Sequence, residues 1–319
     1  MSQTTYFFSI EDTSPSLEYQ PWVDGDYTTG WQMWYTGSAF SQGSPGAEGT
    51  GVSYHSTSLF GANVTFHFYG TGFTLYGQSN CSFNVGVDGE VVATQLSSLN
   101  NVLYTDGDLS QGQHTVTLTA TPNSTSSQIL SFDGVVLSNS IPQSSGALVP
   151  RIFDNTDYDA LQYFGNWTVQ TDPRVPSVAH PASFHQTNIS GASVFLNFTG
   201  RAVLVNGTVD STSGRYSVEL DGQMTLSNGS TSWFVPDALL FYMDGLDPNS
   251  THLLNITNVD DGLTLQLNTF TVYSNVLTSG GASSGSGHSI SGGLIAGVVV
   301  AVVAVIIILV LALSRRRRI

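Results

Sequence analysis

Short alternating runs of apolar and polar residues dominate the chain up to about residue 276. Val64, Phe66 and Phe68 alternate with Thr65 and His67, Phe83, Val85 and Val87 repeat the pattern, and Val116 and Leu118 follow. Such segments are too short and too β-branched for helices and predict strands. Asp88-Gly89 directly follows one of them and predicts a type I′ hairpin turn, because Gly accepts the positive φ required there. One stretch breaks the pattern. Leu294 to Leu313 is twenty uncharged residues, and Arg315–Arg318 follow. At the helical rise this run spans roughly 30 Å, the thickness of a bilayer's hydrocarbon core, and predicts a transmembrane helix.

The alternating region is written twice. Ser53-Tyr54-His55-Ser56-Thr57, Gly61-Ala62 and the strand closing at Gly70 match Ser183-Phe184-His185-Gln186-Thr187, Gly191-Ala192 and a strand closing at Gly200. Nine of 25 ungapped positions, 53–77 against 183–207, are identical. The order persists in Val87-Asp88-Gly89 with Leu220-Asp221-Gly222, in His114 with His252, and in Leu130-x-Phe132-Asp133 with Leu265-x-Leu267-Asn268. Upstream, Ile10-x-Asp12 pairs with Ile152-x-Asp154, and Tyr19-x-x-Trp22 with Tyr163-x-x-x-Trp167. The chain therefore reads as a tandem duplication of one β-rich domain. Its expected parts are a first domain (1–138), a linker (139–150) with two prolines, a second domain (151–276), a Gly/Ser-rich stalk (277–293), the anchor (294–313) and a basic cytoplasmic tail (314–319). The stalk's mean reach is on the order of 20 Å.

Composition narrows the compartment. The net charge is −15, all eight basic residues are arginine, and residues 1–150 carry no Lys or Arg. Nucleic acid and anionic lipid are excluded as partners of that half. Polarity comes from Ser, Thr, Asn and Gly instead. Asn-x-Ser/Thr acceptors stand at Asn63, Asn80, Asn123, Asn166, Asn188, Asn197, Asn206, Asn228, Asn249 and Asn255. Chance predicts about four, so the ten point to an N-glycosylated ectodomain. Asn63, Asn197 and Asn255 fall on the outward phase of their strands. The lone Cys81 forms no internal disulfide, which leaves the domains to stand on core burial.

The order of His-x-Thr, Gly-Ala, alternating strand, Gly, Val-x-[Val/Leu]-Asp-Gly, His-x-[Val/Leu]-x-[Leu/Ile] and a closing Leu-x-[Phe/Leu]-[Asp/Asn] resembles the galactose-binding-domain-like jelly rolls. It looks most like the paired copies in single-pass surface proteins of filamentous and mushroom-forming fungi, over nearly all of residues 8–276. These motifs are strand and turn residues, specific for fold and poor for ligand. The resemblance implies an all-β fold of two tandem jelly-roll β-sandwiches plus one C-terminal transmembrane α-helix. It also implies sugar binding by loops at one end of a sandwich, commonly with a structural calcium. No signature of a defined carbohydrate-binding family accompanies it.

Candidate chemistry follows from residue types. Trp31, Trp34 and Trp233 are not shared between the copies and, with Tyr35, are the candidates for a ligand surface, ordinary packing being the alternative. Trp22 and Trp167 read as equivalent core residues. The oxygen-rich run holding Asp154, Asp157 and Asp159 is the candidate calcium site, with Asp12 as its looser counterpart. No other cofactor is expected. His55/His185 and His114/His252 recur in both copies and read as structural. Asp24/Asp26, Asp106/Asp108 and Asp260/Asp261 adjoin glycines and read as turns, although a glycosidase would also need two carboxyl groups. No nucleophile elbow, phosphate loop or dinucleotide fingerprint is present.

The leading expectation is a non-enzymatic glycoprotein of the plasma membrane that contacts extracellular or cell-wall glycan. The alternatives are a structural or adhesion spacer that displays glycans, and a glycan-active enzyme. Expected partners are the bilayer, through Leu294–Leu313, and glycan. Gly293 and Gly297 offer a close-packing face for a weak homodimer. The arginines after the anchor place the C-terminus in the cytosol and the N-terminus outside. Residues 1–12 show no signal peptide, which suggests a missing exon and a longer tail, a reverse signal-anchor, or, read literally, a tail-anchored protein facing the cytosol.

Overall fold

A computed structural model describes residues 2–40, 44–123 and 127–276. The stalk, the anchor Leu294–Leu313, the tail and the Gly293/Gly297 pair lie outside the described residues. Among the described residues no helix is long and apolar enough to cross a membrane.

The chain is all-β, two β-sandwiches in tandem built from antiparallel sheets. The first comprises β1 (Gln3–Glu11), β2 (Glu18–Gln20), β3 (Gln32–Tyr35), β4 (Ala47–Glu48), β5 (Ser53–Thr57), β6 (Asn63–Gly70), β7 (Gly72–Ser79), β8 (Phe83–Val87), β9 (Glu90–Gln95), β10 (Val102–Asp106), β11 (Gly112–Ala120) and β12 (Leu130–Pro142). The second comprises β13 (Ala147–Asp154), β14 (Leu161–Phe164), β15 (Thr168–Thr171), β16 (Ser183–Thr187), β17 (Ser193–Thr199), β18 (Ala202–Val209), β19 (Arg215–Leu220), β20 (Gln223–Asn228), β21 (Trp233–Met243), β22 (Thr251–Asn258), β23 (Leu265–Leu267) and β24 (Thr269–Val276). One sheet of the first sandwich runs β2-β6-β11-β8-β9, and its counterpart runs β14-β17-β22-β19-β20, the same order strand for strand.

Alternation builds the cores. Val64, Phe66 and Phe68 on β6 and Val116 and Leu118 on β11 are buried, as are Leu196 on β17, Val218 on β19 and Ile256 on β22. Each such side chain contributes about 1.5–3 kcal/mol on burial. Asn63, Asn197 and Asn255 sit between inward positions and face out. Both hairpin turns hold an Asp at positive φ, Asp88 at 52° and Asp221 at 51°, before Gly89 and Gly222. That is the two-residue loop that joins twisted strands without splaying them.

Each turn Asp also holds a histidine. His114 donates from Nδ1 to Asp88 Oδ2 (2.8 Å) and from Nε2 to the Ser110 carbonyl (2.7 Å). His252 does the same with Asp221 (2.6 Å) and the Asp247 carbonyl (2.9 Å). Both ring nitrogens thus face acceptors, the arrangement of an imidazolium. Cys81 is buried, and burial pushes its thiol up, as suits a packing residue.

Residues 139–150 are not a linker. β12 continues to Pro142 and β13 starts at Ala147, so only a 3₁₀ turn at Gln143–Ser145 and Gly146 separate the sandwiches. Pro150 is tolerated because β13 is an edge strand and lacks a neighbour on one side. A short connection brings the two sandwiches into direct contact, and the joint is extensive. Trp233 donates from Nε1 to the Met33 carbonyl (3.0 Å) and packs edge-on against Tyr35 (5.1 Å between centroids). β4, from the first sandwich, pairs in parallel with β21 of the second. Asp244 accepts from Tyr6 Oη (2.9 Å) and Asn139 Nδ2 (2.7 Å) across the same boundary.

Candidate functional site

The four aromatic candidates do not form one site. Trp31 is fully buried, with 0% exposure, because its Nε1 donates to both the Gln20 and Asn63 carbonyls (3.1 Å each) and its ring meets Tyr19 edge-on. Trp233 is only 4% exposed, and with Tyr35 it is consumed by the joint. Trp34 is half-buried and lies apart from the joint. It forms a cluster with Phe40 (5.1 Å) and Tyr54 (6.0 Å), and its Nε1 donates to Ser56 Oγ (3.3 Å). Beside this cluster lies Asp133, whose side chain has no hydrogen-bond partner among the described residues. Burial, then the charges of Asp12 and Glu11, push its carboxyl up to about 7.

Trp22 is the aromatic that spacing misplaced. The equivalent of Trp167 is Trp31: both immediately precede the matching strands β3 and β15, and both meet the equivalent tyrosines, Tyr19 and Tyr163, edge-on. Eleven residues separate Tyr19 from Trp31, whereas three separate Tyr163 from Trp167. The extra residues form a closed loop, Trp31 N–H donating to the Trp22 carbonyl (3.1 Å) and Gly25 N–H to the Trp31 carbonyl (2.8 Å). This loop carries Trp22, which is 52% exposed. Gly25 and Gly30 lie against its indole; a Cβ at either would stand 2.4 Å from Nε1. The ring is therefore held in place by the backbone beneath it.

Trp22 borders a cleft of about 450 Å³ between the sandwiches. Glu18, Gln20 and Trp22 stand on the first sandwich, while Leu226, Asn228 and Thr231 stand on the second. Asp12 and His55 also line it. Asp12 is buried, accepting from Ser53 Oγ through Oδ1 and from His55 Nδ1 through Oδ2 (2.8 Å). His55 is sandwiched face to face on Tyr19 at 4.4 Å, and its Nε2 has no partner among the described residues. In the second copy Asn155 takes the place of Asp12: His185 Nδ1 donates to Asn155 Oδ1 (2.8 Å), and Tyr163 Oη donates to the Asn155 carbonyl just as Tyr19 does to that of Asp12. There Tyr158 Oη closes off Nε2 (3.3 Å), and burial pushes His185 down.

Of the calcium candidates, Asp12 and Asp154 have carboxylates engaged in hydrogen bonds. Asp12 is paired as above. Asp154 Oδ1 accepts from Thr156 N (3.0 Å) and Thr156 Oγ1 (2.7 Å) and makes a turn. The Asp157 carbonyl caps the next turn, and Asp159 lies beside a separate cavity with Arg151. Among the described residues no three His, Cys, Asp or Glu side chains are grouped so as to hold a metal ion. The paired aspartates serve structure: Asp26 and Asp106 cap turns, Asp24 accepts from Ser232 N across the joint, and Asp260 pairs with Arg215.

No family model and no curated protein matches the sequence. Solved structures similar to the chain include a xanthan lyase of Paenibacillus (15% identity, TM-score 0.29, covering 84% of this chain and 26% of that one). The ANXUR1 extracellular domain of Arabidopsis thaliana is 8% identical with a TM-score of 0.27, covering 85% and 97%. The tandem CBM22-1–CBM22-2 domain of Paenibacillus barcinonensis Xyn10C is 7% identical with a TM-score of 0.26, covering 88% and 94%. The chain spans about a quarter of the xanthan lyase's length.

Proposed function

We propose that the chain is a non-enzymatic, N-glycosylated cell-surface protein whose two jelly-roll sandwiches contact extracellular or cell-wall glycan through the cleft between them. In this reading the apolar segment 294–313 is the anchor, and the sandwiches face outwards. The observation that carries it is Trp22: a flat aromatic ring, half exposed and backed by Gly25 and Gly30, at the rim of a cleft whose walls mix apolar and polar side chains. A pyranose offers an apolar face to such a ring and hydroxyls to its surroundings, here Glu18, Gln20 and the open Nε2 of His55. The cleft's volume falls within the range of small-ligand sites, about 300–1,000 Å³.

The test is binding of the purified full chain to a glycan array and to cell-wall polysaccharides, with and without calcium. Trp22→Ala should weaken binding about tenfold, the loss of one aromatic stacking contact of about 1.4 kcal/mol, while Trp34→Ala should leave it unchanged. If the unsubstituted chain binds nothing, the glycan-contact reading falls and the spacer reading replaces it. Treatment of the expressed chain with an N-glycosidase checks its orientation: no mobility shift would refute the outward placement.

A further inference from the structure

Asn228 is the one sequon asparagine among the described residues on the wall of the interdomain cleft. It ends β20, is exposed, and accepts the Ser230 N–H at Oδ1 (3.1 Å). Its Nδ2, the atom that carries an N-glycan, has no protein partner among the described residues. Two other sequons differ in this respect: Asn80 donates Nδ2 to the Ser127 carbonyl (2.8 Å), and Asn206 hydrogen-bonds Asp237 while its acceptor Thr208 is buried. Trp22 and Asn228 stand on opposite sandwiches and border the same space.

We infer that the glycan on Asn228 folds into the cleft and stacks on Trp22, so the protein carries its own competing ligand. This rests on the reading of the cleft as a sugar-contacting site. Attachment requires a lipid-linked oligosaccharide: Asn228 Nδ2 forms a bond to sugar C1, the bond from C1 to the lipid pyrophosphate oxygen breaks, and Nδ2 gives up one proton. Once attached, the innermost sugars are presented to Trp22 at an effective concentration of order millimolar. A sugar–aromatic contact too weak to matter for a free monosaccharide is then substantially populated. An external glycan must displace the tethered one, which lowers its apparent affinity about two- to tenfold.

The experiment uses the full chain routed into the secretory pathway of a glycosylating host behind a cleavable signal peptide. Three forms are compared: unsubstituted, Ser230→Ala, which removes the acceptor, and Ser230→Thr, which restores it. Glycopeptide mass spectrometry reads occupancy at Asn228. Acrylamide quenching of tryptophan fluorescence reads the cover on Trp22, the one tryptophan among the largely exposed hydrophobic residues. The expected result is an occupied Asn228, with quenching greater in Ser230→Ala than in the other two forms, and no such difference on a Trp22→Phe background. Glycan binding should rise about two- to tenfold in Ser230→Ala alone. An unoccupied Asn228, or equal quenching in all three forms, overturns the inference. Equal quenching with Trp22-dependent binding overturns it while sparing the proposed function. Altered quenching with no external binding by any form supports the inference and defeats the proposed external ligand.

Discussion

Replacing Asp133 by asparagine tests the electrostatics of the first sandwich's aromatic face. Burial, then the charges of Asp12 and Glu11, hold this carboxyl near 7, against about 3.9 in an unfolded chain. Below about pH 4 both states keep the proton, and the group costs folding nothing. Between about pH 4 and 7 the unfolded chain releases the proton while the folded chain retains it, so stability falls as pH rises through that window. Three units at 1.36 kcal/mol each would make about 4 kcal/mol. The side chain is partly open to solvent, and screening reduces this to about 1–2 kcal/mol. Guanidinium unfolding of the parent and Asp133→Asn, followed by fluorescence from about pH 4 to 8, measures the difference. The two should coincide near pH 4, with the variant gaining about 1–2 kcal/mol by pH 7.5. An offset of the same size at every pH would refute the reasoning, since it would come from packing and not from a retained proton.

Asp12→Asn should cost less than about 1 kcal/mol, because Asn155 already serves His185 in the second copy; Asp12→Ala strands the His55 Nδ1–H and Ser53 hydroxyl and should cost about 2–4 kcal/mol. Equal losses in thermal unfolding would contradict this. For His114, burial lowers the pKa, but the Ser110 carbonyl and Asp88 outweigh it and the net shift is upward; His252 behaves likewise with Asp221 and Asp247. Their contribution is complete below about pH 6.5 and fades as pH rises through the folded value. The melting-temperature deficit of His114→Ala should therefore shrink from pH 5.5 to pH 9, and a constant deficit would count against the charged pair. Trp233→Ala should cost about 3–5 kcal/mol and loosen the joint first. Hydrogen exchange should speed up at Met33–Tyr35 and Ala47–Glu48 but not in β6 or β11, and a uniform change would rule out a localised joint.

Strand patterning and duplication were legible because each copy repeats its inward positions and its Asp-Gly turn, and the turn Asp then meets the histidine that both copies keep. The aromatic site was not. An insertion between Tyr19 and Trp31 shifted the tryptophan spacing, so Trp22 reads as a core residue and Trp31 as a candidate for a ligand surface with packing as its alternative. Upstream matching by spacing also set Asp12 against Asp154 when its physical counterpart is Asn155, one residue on. Tertiary contact accounts for the rest. Met33 and Val169 occupy equivalent registers opposite His55 and His185, yet Met33 is 2% exposed and Val169 48%, because the second sandwich covers one and nothing among the described residues covers the other. No local pattern distinguishes two such positions. The prolines of 139–150 misled for a related reason: an edge strand hides the missing donor that a central strand would have exposed.

The close spacing of β12 and β13 has a mechanical consequence. Ala147, where the chain enters the second sandwich, is the register partner of Val276, the last described residue of that sandwich. Once the joint between the sandwiches has parted, tension between residue 276 and the first sandwich would enter and leave at this one end of the β13–β24 ladder. Antiparallel strands pulled from a shared end unzip, each hydrogen-bonded pair giving way in turn, while the same ladder pulled from opposite ends resists with all its pairs at once. The second sandwich's core would lie outside the line of force, and its edge would peel open as a tear strip before either core is strained.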